Sequence, residues 1–534
     1  MPERETYDYV VVGAGSAGAV VAARLTEDPR TRVLLLEAGP PADADEVTVP
    51  AAFPNLFRTR WDWNYHTTEQ KQLEGRRAHW PRMKALGGCS SMNAMIYIRG
   101  NRHDFDTWRD AYGATGWGYE DVLPYFVRSE GNTRLGGPYH GQDGPLHVED
   151  RGYTHPLTSM WVESAVATGF KPTDDFNGAE QEGAGLYQVT CRKGRRWSTA
   201  KAYLEPAMSR PNLTVHTGAL AHRVVVEGGR ATGVEYELEG TRRTAYVEAE
   251  VVLSGGAVNS PQLLMLSGIG PGEHLREVGV DVLVDLPTVG ANLHDHPALP
   301  MVFRTRDIGD LLDHNNLLQF LRAKTRGTGP LTSNVGEGGG FFKTRDELPA
   351  PDLQAHVAPS GFWDNGLHEA TARCVTVAPT LVHVASRGSL RLRGTDPRWH
   401  PEIDAGYYDD QVDLDAMVAG MRRLLDTVHS GPLAKHVEDG LLPTMRGWGV
   451  DPTDAQLEAH LRAETQTLYH PVGTCAMGSD ERAVVDPELK VRGVEGLRVA
   501  DASVMPMVTR GNTNAPSIMI GEKAADLLRG RTAR

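Results

Sequence analysis

Two polar loops near the end of the chain contain the side chains best suited to acid–base chemistry. The first, Tyr469–Cys475 (YHPVGTC), places His470 in a turn-rich segment, and the second, Arg510–Pro516 (RGNTNAP), precedes a helical pattern. A histidine in such a loop is commonly a structural residue, and that interpretation stays open. Because an imidazole has an unperturbed pKa of about 6.5, it can also exchange a proton near neutral pH. His470 is therefore a candidate acid–base group.

Other catalytic arrangements find less support. No G-x-S-x-G segment is present, which argues against a hydrolase nucleophile elbow, and no Walker lysine follows the glycine-rich loop described below. The cluster His294-Asp295-His296 could ligate a metal ion, but it lies in a loop without an evident third ligand. The four cysteines are scattered without a CxxC pair. We therefore expect no metal site and no disulfide framework.

The element that could hold a cofactor lies at the other end of the chain, in Tyr9–Gly39. A strand-like run leads into Gly13-x-Gly15-x-x-Gly18, a helical pattern follows, and a second apolar run ends in Glu37. This is the layout of a βαβ dinucleotide-binding unit, whose glycines let backbone N–H groups approach a pyrophosphate. Glu37 follows at about the 20-residue spacing of a carboxylate that binds a ribose hydroxyl, and its charge argues against a 2′-phosphorylated ligand. The segment alone predicts a dinucleotide, with NAD and FAD both open.

Composition limits the class of protein. The chain has 534 residues, which predicts roughly two to four domain-sized units. A net charge of −14 argues against nucleic acid or an anionic membrane surface as the main partner. The fingerprint starts at Tyr9, which leaves no room for a signal peptide, and no apolar run approaches the roughly 20 residues of a membrane span. We expect a cytoplasmic location.

Regular and irregular stretches alternate between the two ends. Residues 40–80 lack periodicity and are expected to run over the surface, whereas residues 82–100 combine a Gly-Gly-Cys-Ser-Ser turn with an apolar run. Such small residues suggest a backbone that approaches a flat or phosphorylated group, although a tight loop-to-helix connection is the alternative. Residues 212–226 and 232–252 predict strands, and residues 250–270 predict a strand, a turn and a helix.

The remaining segments suggest a second layer and a return to the first. Residues 301–464 mix a helical stretch near 311–324, strand-like pieces and a helix from about 411 to 429. Residues 496–502 then predict a short strand, and residues 517–529 an amphipathic helix. We expect the chain to return to its N-terminal sheet at this point.

Four blocks in the same order resemble the glucose-methanol-choline (GMC) flavoprotein oxidoreductase family, and the resemblance runs from about Tyr7 to Leu528. One block is the N-terminal fingerprint, and another is Lys84–Asn93 (KALGGCSSMN), although Met83 stands where a glycine is usual. The others are Gly256–Gly270 (GAVNSPQLLMLSGIG) and the two C-terminal loops.

The resemblance implies an α/β fold with a Rossmann-like FAD-binding domain and an α+β substrate-binding domain, an antiparallel sheet with helices. The FAD-binding domain is expected to be discontinuous, over residues 1–155, 190–300 and 465–534. Residues 156–189 and 301–464 are expected to form the substrate-binding domain.

The resemblance also implies FAD as the cofactor and assigns residues to it. The glycine loop would hold the pyrophosphate, Glu37 the adenosine ribose, Val224 the adenine through its backbone, and residues 88–93 the isoalloxazine. A histidine carries the covalent flavin link of some members at the position of Met92, so non-covalent FAD is expected here. The implied cofactor residues are Gly13, Gly15, Ser16, Gly18, Glu37, Ala38, Gly88, Ser90, Asn93, Ala94, Val224, Asp501, Ala502, Asn512 and Thr513.

The implied activity is oxidation of an alcohol, expected to be primary, to the aldehyde by hydride transfer to flavin N5. His470 would act as general base, and Asn512 would hydrogen-bond the substrate oxygen. Two roles stay open for Glu337: it could bind a cationic substrate, as in choline-oxidising relatives, or be a structural or general active-site residue. Trp363 could line the pocket or belong to the core. Choline-type, sugar or secondary-metabolite alcohols stay open as substrates, and so does a hydroxynitrile lyase that uses FAD structurally. The expected partners are a small-molecule alcohol and an acceptor, which could be O2, a quinone or a protein. The oligomeric state is left open.

Overall fold

The structure is a computed structural model that describes residues 5–531, so the ends of the predicted FAD-binding ranges, residues 1–4 and 532–534, lie outside it. The helices are α1 (Gly18–Leu25), α2 (Asp45–Thr48), α3 (Arg102–Ala111), α4 (Tyr119–Ser129), α5 (Pro156–Ala167), α6 (Glu205–Ala207), α7 (Gly256–Leu266), α8 (Gly272–Glu277), α9 (Leu317–Arg326), α10 (Gln411–Val428), α11 (Asp454–Glu464) and α12 (Asn514–Leu528). The strands are β1 (Thr6–Val12), β2 (Val33–Glu37), β3 (Tyr65–His66), β4 (His79–Trp80), β5 (Glu130–Asn132), β6 (Leu146–Val148), β7 (Gly183–Leu186), β8 (Cys191–Arg192), β9 (Arg195–Arg196), β10 (Leu213–Thr217), β11 (Leu220–Glu227), β12 (Arg230–Leu238), β13 (Thr241–Leu253), β14 (Ile269–Gly270), β15 (Val284–Asp285), β16 (Pro297–Ala298), β17 (Met301–Thr305), β18 (Gly338–Phe342), β19 (Leu353–Ala358), β20 (Cys374–Leu381), β21 (Ser389–Arg391), β22 (Glu402–Asp404), β23 (Val437–Gly440), β24 (Gln466–Thr467) and β25 (Leu497–Val499).

The first large sheet contains the dinucleotide fingerprint. Its strands run in the order β10-β2-β1-β13-β12-β11, and β25 also pairs with β13. The pairs among β10, β2, β1, β13 and β25 are parallel, whereas β11, β12 and β13 form antiparallel hairpins. All five residues of β2 are buried, as expected for a parallel strand that is covered on both faces. The predicted βαβ unit is therefore β1, α1 and β2.

The second large sheet is antiparallel throughout and has the order β23-β17-β20-β19-β18-β7, with β16 and β24 attached beside β20. Helix α10 packs on β20 and on α5. The predicted α/β fold class, with one Rossmann-like sheet and one antiparallel sheet with helices, is confirmed. Strands β16 and β24 belong to the second sheet, although the ranges predicted for the FAD-binding domain, which end at residue 300 and resume at residue 465, include them. The predicted domain limits stay a prediction.

The C-terminal helix α12 returns to the fingerprint. It packs on α1 and α4, and Ser16 Oγ donates to Asn514 Oδ1 at 2.8 Å. Arg24 of α1 forms an ion pair with the fully buried Glu522 at 2.8 Å, and Arg128 of α4 bonds Asp526 at 2.8 Å. Segments almost 500 residues apart in sequence therefore form one unit. Over residues 5–531, no helix has the length and apolar character needed to cross a membrane.

Candidate active site

A deep cavity of about 320 Å³ extends from the carboxyl ends of β1 and β2 toward the second sheet. This placement matches the rule that open parallel sheets bind ligands beyond the carboxyl ends of their strands. The predicted site residues on its wall are Gly13, Gly15, Ser16, Glu37, Ala38, Gly88, Asn93, Ala94, His470, Asp501, Ala502, Asn512 and Thr513. Gly18, Ser90, Val224, Glu337 and Trp363 lie off the wall.

The glycine loop between β1 and α1 is so tightly packed that only glycine fits at two positions. A Cβ on Gly13, whose φ is +101°, would lie 2.4 Å from Ser254 O, and a Cβ on Gly18 would lie 2.0 Å from Gly13 O. Gly15 differs, because the nearest atoms to its Cβ position are 3.9 Å away and it faces the cavity. Gly13 and Gly18 therefore shape the turn, and Gly15 leaves room for a ligand.

Glu37 at the end of β2 is bound by the backbone of neighbouring loops. Its Oε2 accepts from Ala14 N at 3.0 Å and its Oε1 from Gly39 N at 2.8 Å. Burial raises the pKa of the Glu37 carboxyl to about 7. The sequence predicts a ribose contact here, and the structure adds a second role, because this carboxylate fixes the glycine loop at the rim of the cavity.

Residues 88–94 bring backbone against the fingerprint. Gly88 has φ +48°, and a Cβ there would lie 2.6 Å from Gly15 Cα. Ser90 lies behind the wall, where its Oγ bonds Gly87 O at 2.6 Å and Thr199 Oγ1 at 2.9 Å. Asn93 lies on the wall, and its Oδ1 accepts from Arg196 Nη1 at 2.7 Å. The glycines of this segment thus allow the close approach to the cofactor region that the sequence predicts.

Arg196 is a buried cation that the sequence did not single out. It also donates to Val47 O at 2.7 Å and to Ser90 O at 3.2 Å, so these acceptors are neutral oxygens. Burial lowers the pKa of the Arg196 guanidinium to about 10. Its side chain fixes the segment that carries Asn93.

Asp501 joins β25 to the start of α7. Its Oδ2 accepts from Gly256 N at 2.8 Å and from Ser260 Oγ at 2.6 Å, while its Oδ1 accepts from Ser503 N at 2.8 Å. Burial raises the pKa of this carboxyl. Asp501 therefore fixes the backbone at the N-terminal end of α7, which lines the cavity.

His470 is held by the loop that sequence inspection considered for a metal. Its backbone N–H donates to Asp295 Oδ1 at 2.8 Å, and its Nδ1 lies 3.0 Å from His296 Nδ1. Tyr407 OH donates to Asp295 Oδ2 at 2.5 Å. Within residues 5–531, no group of three or more His, Cys, Asp or Glu side chains is arranged for a metal ion. Asp295 and His296 instead position the candidate base.

The Asn512 amide is oriented from its other side. Gln354 Nε2 donates to Asn512 Oδ1 at 3.3 Å, which turns the Asn512 amide nitrogen toward His470 Nε2 at 3.5 Å. His470 Nε2 is then the acceptor, which assigns its proton to Nδ1, where it is donated to His296. Burial, helped by the positive charge of Arg82, lowers the pKa of the His470 imidazole well below its ordinary value. His470 is therefore neutral at neutral pH, and its Nε2 lone pair points to the Asn512 amide beside the cavity.

The cavity wall near His470 is mostly apolar. Phe53, Phe57, Phe362, Val335 and Ala358 belong to the wall and to one apolar cluster. His356 on β19 is a further titratable residue on this wall that sequence inspection missed, and burial lowers the pKa of its imidazole to about 3. Its strand carries no local motif, so no signal in the sequence indicated it.

Three predicted residues have other surroundings. Val224 is buried in β11, and its N–H donates to Ser267 Oγ at 2.8 Å. Glu337 is fully buried and accepts from Ser333 Oγ at 2.6 Å, Thr158 Oγ1 at 2.7 Å and His155 N at 2.8 Å. Trp363 stacks on His368 with ring centroids 5.9 Å apart. These contacts bind each residue within the protein, and the cofactor and substrate contacts predicted for the three residues stay a prediction.

The residues on the wall fit an FAD molecule. Gly15 and Gly256 present backbone to the cavity, and a Cβ on Gly256 would meet nothing within 4 Å. The glycine loop, at the start of α1, leaves room for a pyrophosphate at Gly15, and the wall next to His470 carries apolar side chains that suit a flat ring. The fit rests on this division into a polar end and an apolar end.

The GMC oxidoreductase N-terminal and C-terminal family models match residues 7–298 and 384–521. An uncharacterized GMC-type oxidoreductase of Mycobacterium tuberculosis is 48% identical over 98% of this chain and 99% of its own. Human mitochondrial choline dehydrogenase is 42% identical over 99% of this chain and 91% of its own. An alcohol dehydrogenase [acceptor] of Pseudomonas putida is 40% identical over 98% and 95% of the two chains.

Solved structures agree with this relationship. Pyridoxine 4-oxidase from Mesorbium loti superposes with a TM-score of 0.89 at 31% identity, over 97% of this chain and 98% of its own. A formate oxidase of Aspergillus oryzae RIB40, studied for its FAD modification, gives a TM-score of 0.92 at 27% identity over 99% of both chains. The chain therefore belongs to the GMC oxidoreductase family, and it is an FAD-binding flavoprotein oxidoreductase.

Proposed function

We propose that this protein oxidises a primary alcohol to the aldehyde, with His470 as the general base and Asn512 as the group that orients the hydroxyl. One observation carries the proposal. The acceptor nitrogen of His470 and the amide of Asn512 lie 3.5 Å apart on the same wall of the cofactor cavity. A hydroxyl bound against both would give its proton to the imidazole.

The histidine is prepared to take that proton. Its pKa is lowered by burial, so the neutral form is present, and the His296 contact holds the proton on the far nitrogen. As His470 Nε2 accepts the hydroxyl proton, the alcohol C–H leaves as a hydride and the C–O bond becomes a carbonyl. Bound FAD supplies the acceptor for that hydride.

Asn512 and the apolar wall complete the arrangement. The Asn512 amide donates to the substrate oxygen and stabilises the charge that develops there as the proton leaves. Phe53, Phe57 and Phe362 exclude water from the same region, which strengthens these interactions. The carboxylates on the wall of the described cavity are Glu37 and Asp501, both at the nucleotide end. This distribution favours an uncharged alcohol over a cationic one.

An anaerobic screen of alcohols for bleaching of the flavin absorbance tests the activity. A short primary alcohol, benzyl alcohol and choline represent the competing substrate classes. We expect His470→Ala to retain FAD and to reduce the rate of bleaching by about 10²- to 10⁴-fold. A variant that bleaches at the wild-type rate would remove His470 from the mechanism. If every alcohol leaves the flavin oxidised, the proposed oxidation is wrong.

Admission of air to the bleached enzyme then distinguishes the acceptors. Prompt reoxidation with formation of peroxide indicates an oxidase, and slow reoxidation indicates a quinone or protein acceptor.

We further propose that the FAD is held without a covalent bond. Met92 lies on the cavity wall, and its thioether has no proton to lose and cannot form the histidyl link. Acid precipitation should therefore release the flavin into the supernatant. Flavin that stays with the protein pellet contradicts this expectation.

A further inference from the structure

Helix α9 presents leucines to solvent. Leu317 and Leu318 are each 73% exposed and Leu321 is 46% exposed. Because residues three and four positions apart are neighbours on a helix surface, Leu321 adjoins both Leu317 and Leu318, and the three side chains form one apolar strip. Leu312, in the turn just before α9, is 43% exposed and extends it. We call these four residues the leucine face. Single exposed leucines are ordinary on a protein surface, whereas four within ten residues mark an interaction site.

The opposite side of α9 is anchored to the protein. Ala323 is buried in a cluster with Val49, Ala52 and Leu331, and Lys324 forms an ion pair with Asp45 at 2.5 Å. Asn316 caps the first turn by accepting from Gln319 N at 3.1 Å. The helix is thus fixed by one side, and the leucine face points away from the rest of its own chain.

Unpaired cations lie next to the leucine face. The β8–β9 hairpin packs on the C-terminal end of α9, where Arg195 Nη2 donates to Thr325 O at 2.8 Å. The hairpin and the helix together expose Arg192, Lys193, Arg195, Arg322 and Arg326, and none of the five forms a salt bridge with a carboxylate in residues 5–531. We call these five residues the cationic cluster. Although the whole chain has a net charge of −14, positive charge is concentrated next to the leucine face.

We propose that α9 and the β8–β9 hairpin dock this protein on an anionic lipid surface. The leucine face would enter the boundary between headgroups and acyl chains, and the cationic cluster would bind anionic headgroups, as in interfacial amphipathic helices. A two-fold contact with a second copy is disfavoured, because a self-complementary interface would bring the two cationic clusters together. The net charge of the whole chain argues against an anionic membrane partner, because it does not reveal this local concentration of cations.

Docking in this orientation would place the wall of the active site near the lipid. Helix α9 packs through Phe320 and Ala323 on the turn Pro50–Leu56, and Phe53 of that turn lines the cavity. Leu311, at the start of the same surface segment, belongs to the apolar cluster of Phe53 and Phe57. The docking proposal stands independently of the substrate proposed above, since it concerns the outer side of this wall.

Vesicle sedimentation of the purified holoenzyme tests the proposal. We expect it to pellet with mixed phosphatidylcholine–phosphatidylglycerol vesicles and to stay in solution with phosphatidylcholine alone. Leu317→Ser/Leu318→Ser/Leu321→Ser should weaken partitioning by about 1000-fold, because each of the three leucines contributes roughly tenfold. Arg322→Gln/Arg326→Gln should weaken it by roughly fivefold per cation, as should added salt.

Exposed residues elsewhere provide a matched control. Val450 is 71% exposed and Leu283 is 55% exposed, both outside the leucine face. Val450→Ser/Leu283→Ser should therefore sediment like the wild type, with flavin content checked for every variant. Failure to pellet with anionic vesicles overturns the proposal, as does pelleting that the leucine variant leaves unchanged. A dimer in solution that the leucine variant dissociates would assign the face to a second copy instead and would equally overturn it.

Discussion

Replacing His296 with leucine would test how the candidate base is kept in its reactive form. His296 Nδ1 lies 3.0 Å from His470 Nδ1, and both side chains are buried. In His296→Leu, the Nδ1–H of His470 loses its acceptor inside the protein. The proton would then be more stable on Nε2 of His470. That nitrogen would no longer offer a lone pair to the Asn512 amide or to the substrate hydroxyl.

The expected magnitude follows from the cost of that unsatisfied donor. A buried donor without a partner costs about 1–3 kcal/mol, which corresponds to a rate loss of roughly 5- to 150-fold. Stopped-flow measurement of anaerobic flavin reduction isolates the step concerned. Flavin content should remain close to the wild type, because leucine fills a similar volume, and the loss of stability on thermal unfolding should not exceed about 1–3 kcal/mol.

His296→Asn provides the matched control. Its side-chain oxygen can occupy the position of Nδ1 and accept the same hydrogen bond, so this variant should recover most of the lost rate. If the leucine variant reduces its flavin at the wild-type rate, or if asparagine and leucine are equally slow, the tautomer argument is wrong. Such a result would leave His296 as a packing residue only.

Three further predictions address the cofactor site, Glu337 and the dependence on pH. Gly88→Ala should yield protein that lacks flavin, because its Cβ would lie 2.6 Å from Gly15 Cα. Gly75 also has a positive φ, but a Cβ there would meet nothing within 4 Å, so Gly75→Ala should retain flavin. The visible absorbance of the purified proteins measures the flavin content. Glu337→Gln should lower stability by about 1–3 kcal/mol, because its amide would face the donors Thr158 and His155 N. It should leave the ratio of kcat/KM for choline to that for an uncharged alcohol unchanged, and a tenfold fall in that ratio would instead identify a cation site. Finally, burial lowers the pKa of His296 and His356 to about 3 each. Their unfolded forms take up protons below the ordinary pKa of about 6.5, so stability is lost as the pH falls through this range, by about 2 kcal/mol per residue at pH 5. The thermal midpoint of the holoenzyme should fall from pH 7 to pH 5, and an equal or higher midpoint at pH 5 would contradict the burial of neutral imidazoles.

The sequence was most informative where local backbone geometry carries the function. Gly13 and Gly18 must be glycine because of contacts within one βαβ unit, and that unit can be recognised from a single stretch of chain. The strand before Asp501 and the helix after Asn512 were likewise visible as local patterns, and both return to the first sheet.

Contacts between distant segments were not visible in this way. His296, Gln354 and His356 come from a loop and a strand of the second sheet, and nothing near them in sequence indicates that they face His470 or Asn512. The cluster His294-Asp295-His296 was noticed, but only as a metal site that was considered and set aside. Its actual neighbours, Tyr407 and the His470 loop, lie more than 100 residues away along the chain.

The pairing of α1 with α12 has a consequence for how the protein is made. Ser16 of the cofactor loop bonds a residue 498 positions later, and Arg24 bonds one at the same separation. At roughly 5–20 residues per second, the ribosome needs roughly 25–100 s to synthesise the chain between them. During that interval the apolar side of α1 has no α12 to cover it. We therefore expect stable FAD uptake to be a late step of biosynthesis, with an interval in which chaperones can act on the N-terminal half.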